Sequence, residues 1–255
     1  MTENELLKLD NPLVYKKELK ITYSDLNEYG EIFPQRYLQF FQDVSAEHCN
    51  LMHMGFNDLI GQNIIWVLNK VRFTKLGDYT SPDIIIMTIV RKPTRIRYER
   101  DYLIFNDGKV IVRGEGEYCT VNFKTRRLLL SGLTYPSSDF PEYVNYQTPF
   151  PLLKAEGKEE NEPVYVHKVV FTDLDENRHA NNTSYARWIN DAVAGRLGNH
   201  DIIDMQFHYS EECSEGELIS IFEEKKDDLH SLFTGRKADG TVSFISAVSF
   251  LEKKR

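Results

Sequence analysis

Cysteine is scarce in this chain. The 255 residues hold three, Cys49, Cys119 and Cys213, an odd number at wide spacing. That excludes a disulfide framework and a Cys-x-x-Cys zinc site. No apolar run approaches the roughly 20 residues needed to span a membrane as a helix. Basic residues are the minority of the charges, 31 Lys and Arg against 39 Asp and Glu, for a formal net charge of −8. A nucleic-acid binder needs a basic face, so neither nucleic acid nor a membrane is an expected partner. His48 and His53 lie five apart, the wrong spacing for a metal pair on one helix face, and no metal or other cofactor is expected. Met1 to Asp10 is polar and acidic, unlike a secretory leader. A reducing cytoplasm is the expected compartment.

What is present is an ordinary globular composition, 41% hydrophobic and 27% charged, in a length that suits two similar lobes. An internal repeat supports the two lobes. Residues 21–43 (ITYSDLNEYGEIFPQRYLQFFQD) align without a gap on 169–191 (VVFTDLDENRHANNTSYARWIND), 148 positions on. Asp25 and Leu26 match Asp173 and Leu174, Tyr37 matches Tyr185, and Asp43 matches Asp191. Each copy then runs into a helix with one apolar face: Tyr37, Phe40, Phe41 and Val44 in the first, Tyr185, Trp188, Ile189 and Ala192 in the second. Pro34 suits the first turn of the one helix, and Asn181 or Asn182 suits the N-cap of the other.

Strand-like runs follow each helix. The first half has Ile64–Lys75, Asp83–Lys92, Arg95–Asn106 and Lys109–Phe123; the second has Asp204–Ser210, Glu217–Lys226, His230–Ala238 and Thr241–Leu251. Asp107-Gly108 and Asp239-Gly240 join the last two runs of each half, a strong hairpin signal. One further strand precedes each helix, at Tyr15–Tyr23 and Val164–Phe171. A buried apolar helix and an antiparallel sheet with one apolar face imply a sheet wrapped around the helix. The expected class is α+β, a tandem hotdog: residues 1–131, a linker 132–163 holding five of the nine prolines and the run Lys158-Glu159-Glu160, and residues 164–255.

The second copy carries the chemistry. Asp175, Asn177 and His179 fall at i, i+2 and i+4, and Asn181-Asn182 leads into the helix. A carboxylate, an amide and an imidazole meet where backbone N–H groups are free to hold developing negative charge. A plainer role exists for each: Asx residues cap turns and helices, and a lone thiol such as Cys213 is usually an inert buried group. Cys49, Cys119, Met52, Met54, Phe40, Phe41 and Trp66 read as core. The first copy has Asn27, Tyr29 and Glu31 at the three positions, and Phe33-Pro34 in place of the asparagines.

Three elements together resemble the acyl-ACP thioesterases of bacteria and plant plastids, which are double-hotdog enzymes. They are Asp173-Leu-Asp-Glu-Asn-Arg-His-Ala-Asn-Asn182, Glu212-Cys213 with Ser214-Glu215-Gly216-Glu217, and Val121-Asn-Phe-Lys-Thr-Arg-Arg-Leu128. The resemblance implies release of free fatty acid from acyl carrier protein, whose phosphopantetheine arm holds the acyl chain. It assigns a catalytic group of Asp175, Asn177, His179, Glu212 and Cys213. No plastid transit peptide is visible, which fits a bacterial cytoplasmic form. Two routes use these residues: attack by Cys213 after His179 takes its proton, or a water activated by Asp175, Glu212 or His179. Backbone N–H groups of Asn181 and Asn182 are candidate oxyanion donors in both. The first half, lacking the set, is expected to shape the acyl pocket.

Rival readings are an acyl-CoA thioesterase or a hydratase of the same fold, and a non-catalytic acyl-binding protein. Either a monomer or a homodimer is compatible with two fused hotdogs. Acyl carrier protein is acidic, so docking calls for local cations. Arg95 and Arg97, expected on one face of a strand, and Arg126 and Arg127 are the candidates. Reversing charge at Arg126 and Arg127 is expected to raise KM for acyl carrier protein substrates and not for a small thioester; an equal rise for both would exclude docking there.

Overall fold

A computed structural model describes residues 1–130, 133–155 and 162–253. Gly132 and Lys158-Glu159-Glu160 of the expected linker lie outside the described residues. Two compact units emerge, Met1–Asp25 with Gln39–Pro149, and Leu26–Leu38 with Phe150–Arg255.

The first unit holds α1 (Glu3–Lys8), β1 (Val14–Lys20), most of α2 (Pro34–Leu51), α3 (Phe56–Ile60), β2 (Ile64–Lys75), β3 (Asp83–Val90), β4 (Tyr98–Asn106) and β5 (Lys109–Asn122). Its strands pair antiparallel in the order β1-β3-β4-β5-β2. Asp107-Gly108 joins β4 to β5 with both residues at positive φ, 46° and 74°, as a two-residue hairpin turn requires. α2 lies close on this sheet. Phe41 stacks on Tyr102 at 4.4 Å, and a Cβ on Gly114 would come within 2.2 Å of the Phe41 ring. Glycine is therefore what lets the helix approach. Further along α2, Arg100 donates to His48 Nδ1 (3.1 Å), Thr88 Oγ1 (3.3 Å) and Cys49 Sγ (3.1 Å). Burial, with the Arg100 charge beside it, drops the His48 pKa to about 4. The ring is thus neutral, accepting at Nδ1 and donating from Nε2 to the Pro12 carbonyl at 2.9 Å.

Every residue of β4 except Glu99 is buried, so both faces of this strand are covered. With Tyr102 toward α2, alternation sends Leu103 and Phe105 the other way. There they join Met87, Ile89 and Leu6 of α1 in a second core cluster. α1 starts at a capping box of Thr2 and Glu5, a helix-start signal set in an otherwise polar stretch. The stretch 143–148, expected as an irregular linker, has no strand or helix but is firmly bound to the first unit. Buried Asn145 donates to the Tyr102 and Gly114 carbonyls at 2.8 and 2.6 Å, and its N–H reaches Asp101 at 3.1 Å. Arg72 donates to the Thr148 carbonyl at 2.7 Å and covers the Tyr146 ring at 3.7 Å.

The second unit holds β6 (Tyr165–Lys168), α4 (Asn182–Ala192), β7 (His200–Tyr209), β8 (Leu218–Lys225), β9 (His230–Arg236) and β10 (Val242–Glu252). The antiparallel order is β7-β10-β9-β8-β6. Tyr185 and Trp188 of α4 are buried, and Tyr185 meets Phe244 of β10 edge-on at 5.2 Å. Gly235 of β9 instead makes room within the sheet, since the ring of Phe244, its partner on β10, stands 2.1 Å from where a Cβ would be. Each unit is thus a helix held against an antiparallel sheet. No helix among the described residues is long and apolar enough to cross a membrane.

Asn145→Ala removes donors from two buried carbonyls. It is expected to lower unfolding free energy by about 2 kcal/mol, measured by urea titration; an unchanged midpoint would mean that 143–148 is not part of the folded unit.

Candidate active site

The site grows from one buried carboxylate. After β6 the chain makes a short 3₁₀ turn, Phe171–Asp173, and Asp173 is fully buried. Its Oδ2 accepts from the Val170 N–H at 2.8 Å and from His167 Nε2 at 2.7 Å; its Oδ1 accepts from Trp188 Nε1 at 3.1 Å and pairs with Arg187. Burial alone would raise this carboxyl. The Val170 N–H, His167 and Trp188 outweigh it and hold the pKa below the ordinary value of 3.8. The Asp173 carbonyl also accepts from the Asn181 N–H at 2.8 Å and the Ser184 hydroxyl at 3.0 Å. One residue therefore clamps both ends of the loop 174–181 to the start of α4.

Inside that loop, Asp175 N–H donates to the His179 carbonyl at 2.9 Å, and Asn177 N–H donates to Asp175 Oδ1 at 2.8 Å. Arg178 takes φ 64°, a left-handed conformation that costs a side chain roughly 1–2 kcal/mol. The first copy builds the same loop 148 residues earlier. Asn27 N–H donates to the Glu31 carbonyl at 2.8 Å, Tyr29 N–H donates to Asn27 Oδ1 at 2.9 Å, and Thr22 N–H donates to Asp25 Oδ2 at 2.7 Å. Gly30 stands at φ 76° where Arg178 stands in the second. The bridges Leu26↔Ile32 and Leu174↔Ala180 also correspond. The frame is thus common to both copies, and only the second copy has a carboxylate, an amide and an imidazole on it.

Glu212-Cys213 lies directly beside that loop. Ala180 N–H donates to the Cys213 carbonyl at 2.8 Å, and His179 bridges Ser214. Gly216 at φ 86° turns the chain, Glu217 Oε2 accepts from the Ser214 N–H at 2.7 Å, and Lys237 Nζ donates to the Glu212 carbonyl at 2.7 Å. This brings Glu212 Oε2 to 3.4 Å from His179 Nδ1, with both side chains partly open to solvent. Cys213 is fully buried. Burial pushes its thiol up, and the Tyr185 and Ser243 hydroxyls that face it do not reverse this.

Two family models match, described as the N-terminal domain of acyl-ACP thioesterase, over residues 12–130, and its C-terminal domain, over residues 156–245. The chain belongs to the acyl-ACP thioesterase family. A palmitoyl-acyl carrier protein thioesterase from the chloroplast of Gossypium hirsutum is 24% identical over 235 residues, which are 81% of this chain and 54% of that protein. The chain thus spans about half the length of the curated relatives it matches. An acyl-ACP thioesterase structure from Bacteroides thetaiotaomicron superposes with TM-score 0.85 at 19% identity, covering 98% of this chain and 100% of that one. The 12:0-ACP thioesterase of Umbellularia californica gives TM-score 0.81 at 16% identity, covering 96% and 99%. At these identities the likeness shows the fold, a double hotdog.

In this family member the expected residues do not all stand alike. Asp175, Asn177, His179 and Glu212 share one neighbourhood, with Asn177 and Glu212 exposed. Asp175 has one oxygen engaged as a turn acceptor. Asn181 is an N-cap, its side chain accepting from the Thr183 N–H and hydroxyl at 2.9 Å. Its own N–H is committed to Asp173, so the expected oxyanion role there is corrected, and the Asn182 N–H at the first helical position is the donor left. Arg95 and Arg97 are exposed but not on a strand. β4 begins at Tyr98, because the Thr94 N–H closes a turn on the Arg97 carbonyl at 3.0 Å, just after Pro93. Arg126 and Arg127 are exposed beyond the end of β5, with Arg126 at φ 56°. Asp173, which has no place in the expected catalytic group, anchors the loop that carries it, and its signal in the sequence is the repeated Asp-Leu pair, Asp25-Leu26 and Asp173-Leu174.

A depressed Asp173 pKa contributes stability that is complete above the unfolded-state value of 3.8 and fades as pH falls through the lower folded value. Asp173→Ala is expected to cost about 3 kcal/mol at pH 7 and less near pH 3, measured by urea unfolding; an equal cost at both would show that the charge is not what matters.

Proposed function

We propose that this chain hydrolyses the thioester of fatty acyl-acyl carrier protein, releasing free fatty acid and ending chain elongation. The observation that carries the reading is the approach of Glu212 to His179 at 3.4 Å beside the exposed Asn177, at the start of a buried helix. An open carboxylate–imidazole pair suits activation of water. In this mechanism Glu212, held beside the His179 ring, accepts a proton from water as its oxygen bonds to the thioester carbon. The Asn177 amide orients the substrate carbonyl, and the Asn182 N–H stabilises the oxyanion. The carbon–sulfur bond then breaks, and the leaving sulfur takes from Glu212 the proton that came from water, which restores the carboxylate.

Water activation is favoured over a cysteine nucleophile. The Cys213 thiol is buried, raised in pKa, and turned to Tyr185 and Ser243 rather than to His179. A thiol held protonated is a weak nucleophile. Asp175 is better suited to holding the loop than to acting as base, since it already accepts the Asn177 N–H. The N-terminal unit, which lacks the polar set, is assigned to the acyl chain; its core of Leu13, Cys49, Met52, Met54 and Val90, with Trp66 packed on it, is of suitable character. The partner is acyl carrier protein, with Arg126 and Arg127 as docking cations, and the three free thiols suit the cytoplasm.

Release of thiol from acyl-acyl carrier protein and acyl-CoA is the test. Carrier protein substrate should be turned over with the higher kcat/KM. His179→Ala and Glu212→Gln should each lose about 100-fold or more in kcat, whereas Cys213→Ala should keep most activity. Inactive Cys213→Ala in a folded protein would establish the covalent route, and full activity in His179→Ala would remove the site assignment.

A further inference from the structure

Arg178 occupies a position that glycine would fill more cheaply. Its φ of 64° lies in the left-handed region, and the corresponding residue of the first copy is Gly30 at 76°. The two turns are otherwise alike: Arg178 N–H donates to the Asp175 carbonyl and Gly30 N–H to the Asn27 carbonyl, each at 3.0 Å. The backbone therefore gives no reason for an arginine. Nor do local contacts, since the exposed Arg178 side chain makes no hydrogen bond or ion pair among the described residues. Strain retained without a structural return points to function at the side chain.

The surrounding charge indicates what it meets. The two segments that form the site, 173–182 and 211–217, carry Asp175, Glu176, Glu211, Glu212, Glu215 and Glu217 besides the buried Asp173. Arg178 is the sole arginine or lysine in both. Nearby Lys237 is already engaged by Glu217 and the Glu212 carbonyl. Within these two acidic segments Arg178 is the one cation that an approaching anionic substrate meets.

We propose that Arg178 binds the phosphate of the phosphopantetheine arm that presents the thioester. The inference rests on the thioesterase reading given above. The phosphate lies two amide units from the reacting sulfur, which places it at the rim of the site rather than at His179, and Arg178 is the exposed rim residue next to His179. A guanidinium forms paired, charge-assisted hydrogen bonds to phosphate, and it stays charged at any pH of interest. Carrier protein and coenzyme A both carry this phosphate, whereas an N-acetylcysteamine thioester does not.

Arg178→Gly is the decisive variant because glycine suits the backbone there. Its thermal midpoint should equal or exceed that of the wild type. KM should rise about tenfold for acyl-acyl carrier protein and acyl-CoA, with kcat little changed, and Arg178→Lys should recover part of the loss. Kinetics on the N-acetylcysteamine thioester should not move. Calorimetry with coenzyme A gives a readout independent of turnover, and the variant should bind it about tenfold more weakly. Equal coenzyme A binding by the two proteins, an equal KM rise on all three thioesters, or a lowered thermal midpoint would each overturn the proposal. Failure of the wild type to hydrolyse any thioester would instead overturn the functional reading, and coenzyme A binding would still decide the role of Arg178.

Discussion

The buried Asp173 carboxylate is the constraint on which the site depends. Four donors from three places converge on it: the Val170 N–H ahead of the turn, His167 on β6, and Arg187 and Trp188 on α4. A carboxylate can be buried this way only when its lone pairs are met by charged or polar donors. Its carbonyl takes the Asn181 N–H, so the strand, the loop and the helix start are fixed to one residue. The loop between then has little freedom, and Asp175, Asn177 and His179 inherit their positions from it. Asp25 does part of the same work in the first copy, through Thr22.

That duplication separates scaffold from chemistry within one chain. The first copy keeps the turn, the bridge and the left-handed residue, yet its polar groups are consumed internally: Asn27 Nδ2 donates to Glu31 at 3.1 Å, and Glu31 pairs with Lys253 at 2.7 Å. In the second copy His179 and Glu212 remain partly open to solvent, and Asn177 is exposed. What separates the two loops is that neighbouring charges neutralise the side chains of the first and leave those of the second partly open to solvent. The Glu-Cys element shows the same division within two adjacent residues. Glu212 faces His179 and solvent, while Cys213 faces the Tyr185 and Ser243 hydroxyls in the interior.

Much of the frame is legible in the amino-acid order because it rests on local physics. Ile64–Lys75 reads as a strand from its own residues and forms one with those bounds. Asp107-Gly108 announces its hairpin because both residues tolerate positive φ. Arg95 and Arg97 read as strand residues by alternation alone, but the turn closed between Thr94 and Arg97 takes them out of the sheet. Asn145 lies in a proline-rich stretch with no pattern, and nothing local foretells that its amide would cap carbonyls 31 and 43 positions earlier in the chain. α1 carried a local signal, the Thr2–Glu5 box, that its polar composition obscured.

The sequence by itself determined the repeat, the hairpins, the amphipathic helices and the polar set at Asp175, Asn177 and His179, since each depends on neighbours within a turn or a strand. Tertiary structure alone decided which of those groups meet. Glu212 comes to His179 because Ala180 donates to the Cys213 carbonyl and His179 bridges Ser214, and the fate of Cys213 was set by what closes over it. Distance, burial and the resulting charge state come from packing between segments far apart in the chain, and no pattern within either segment contains them.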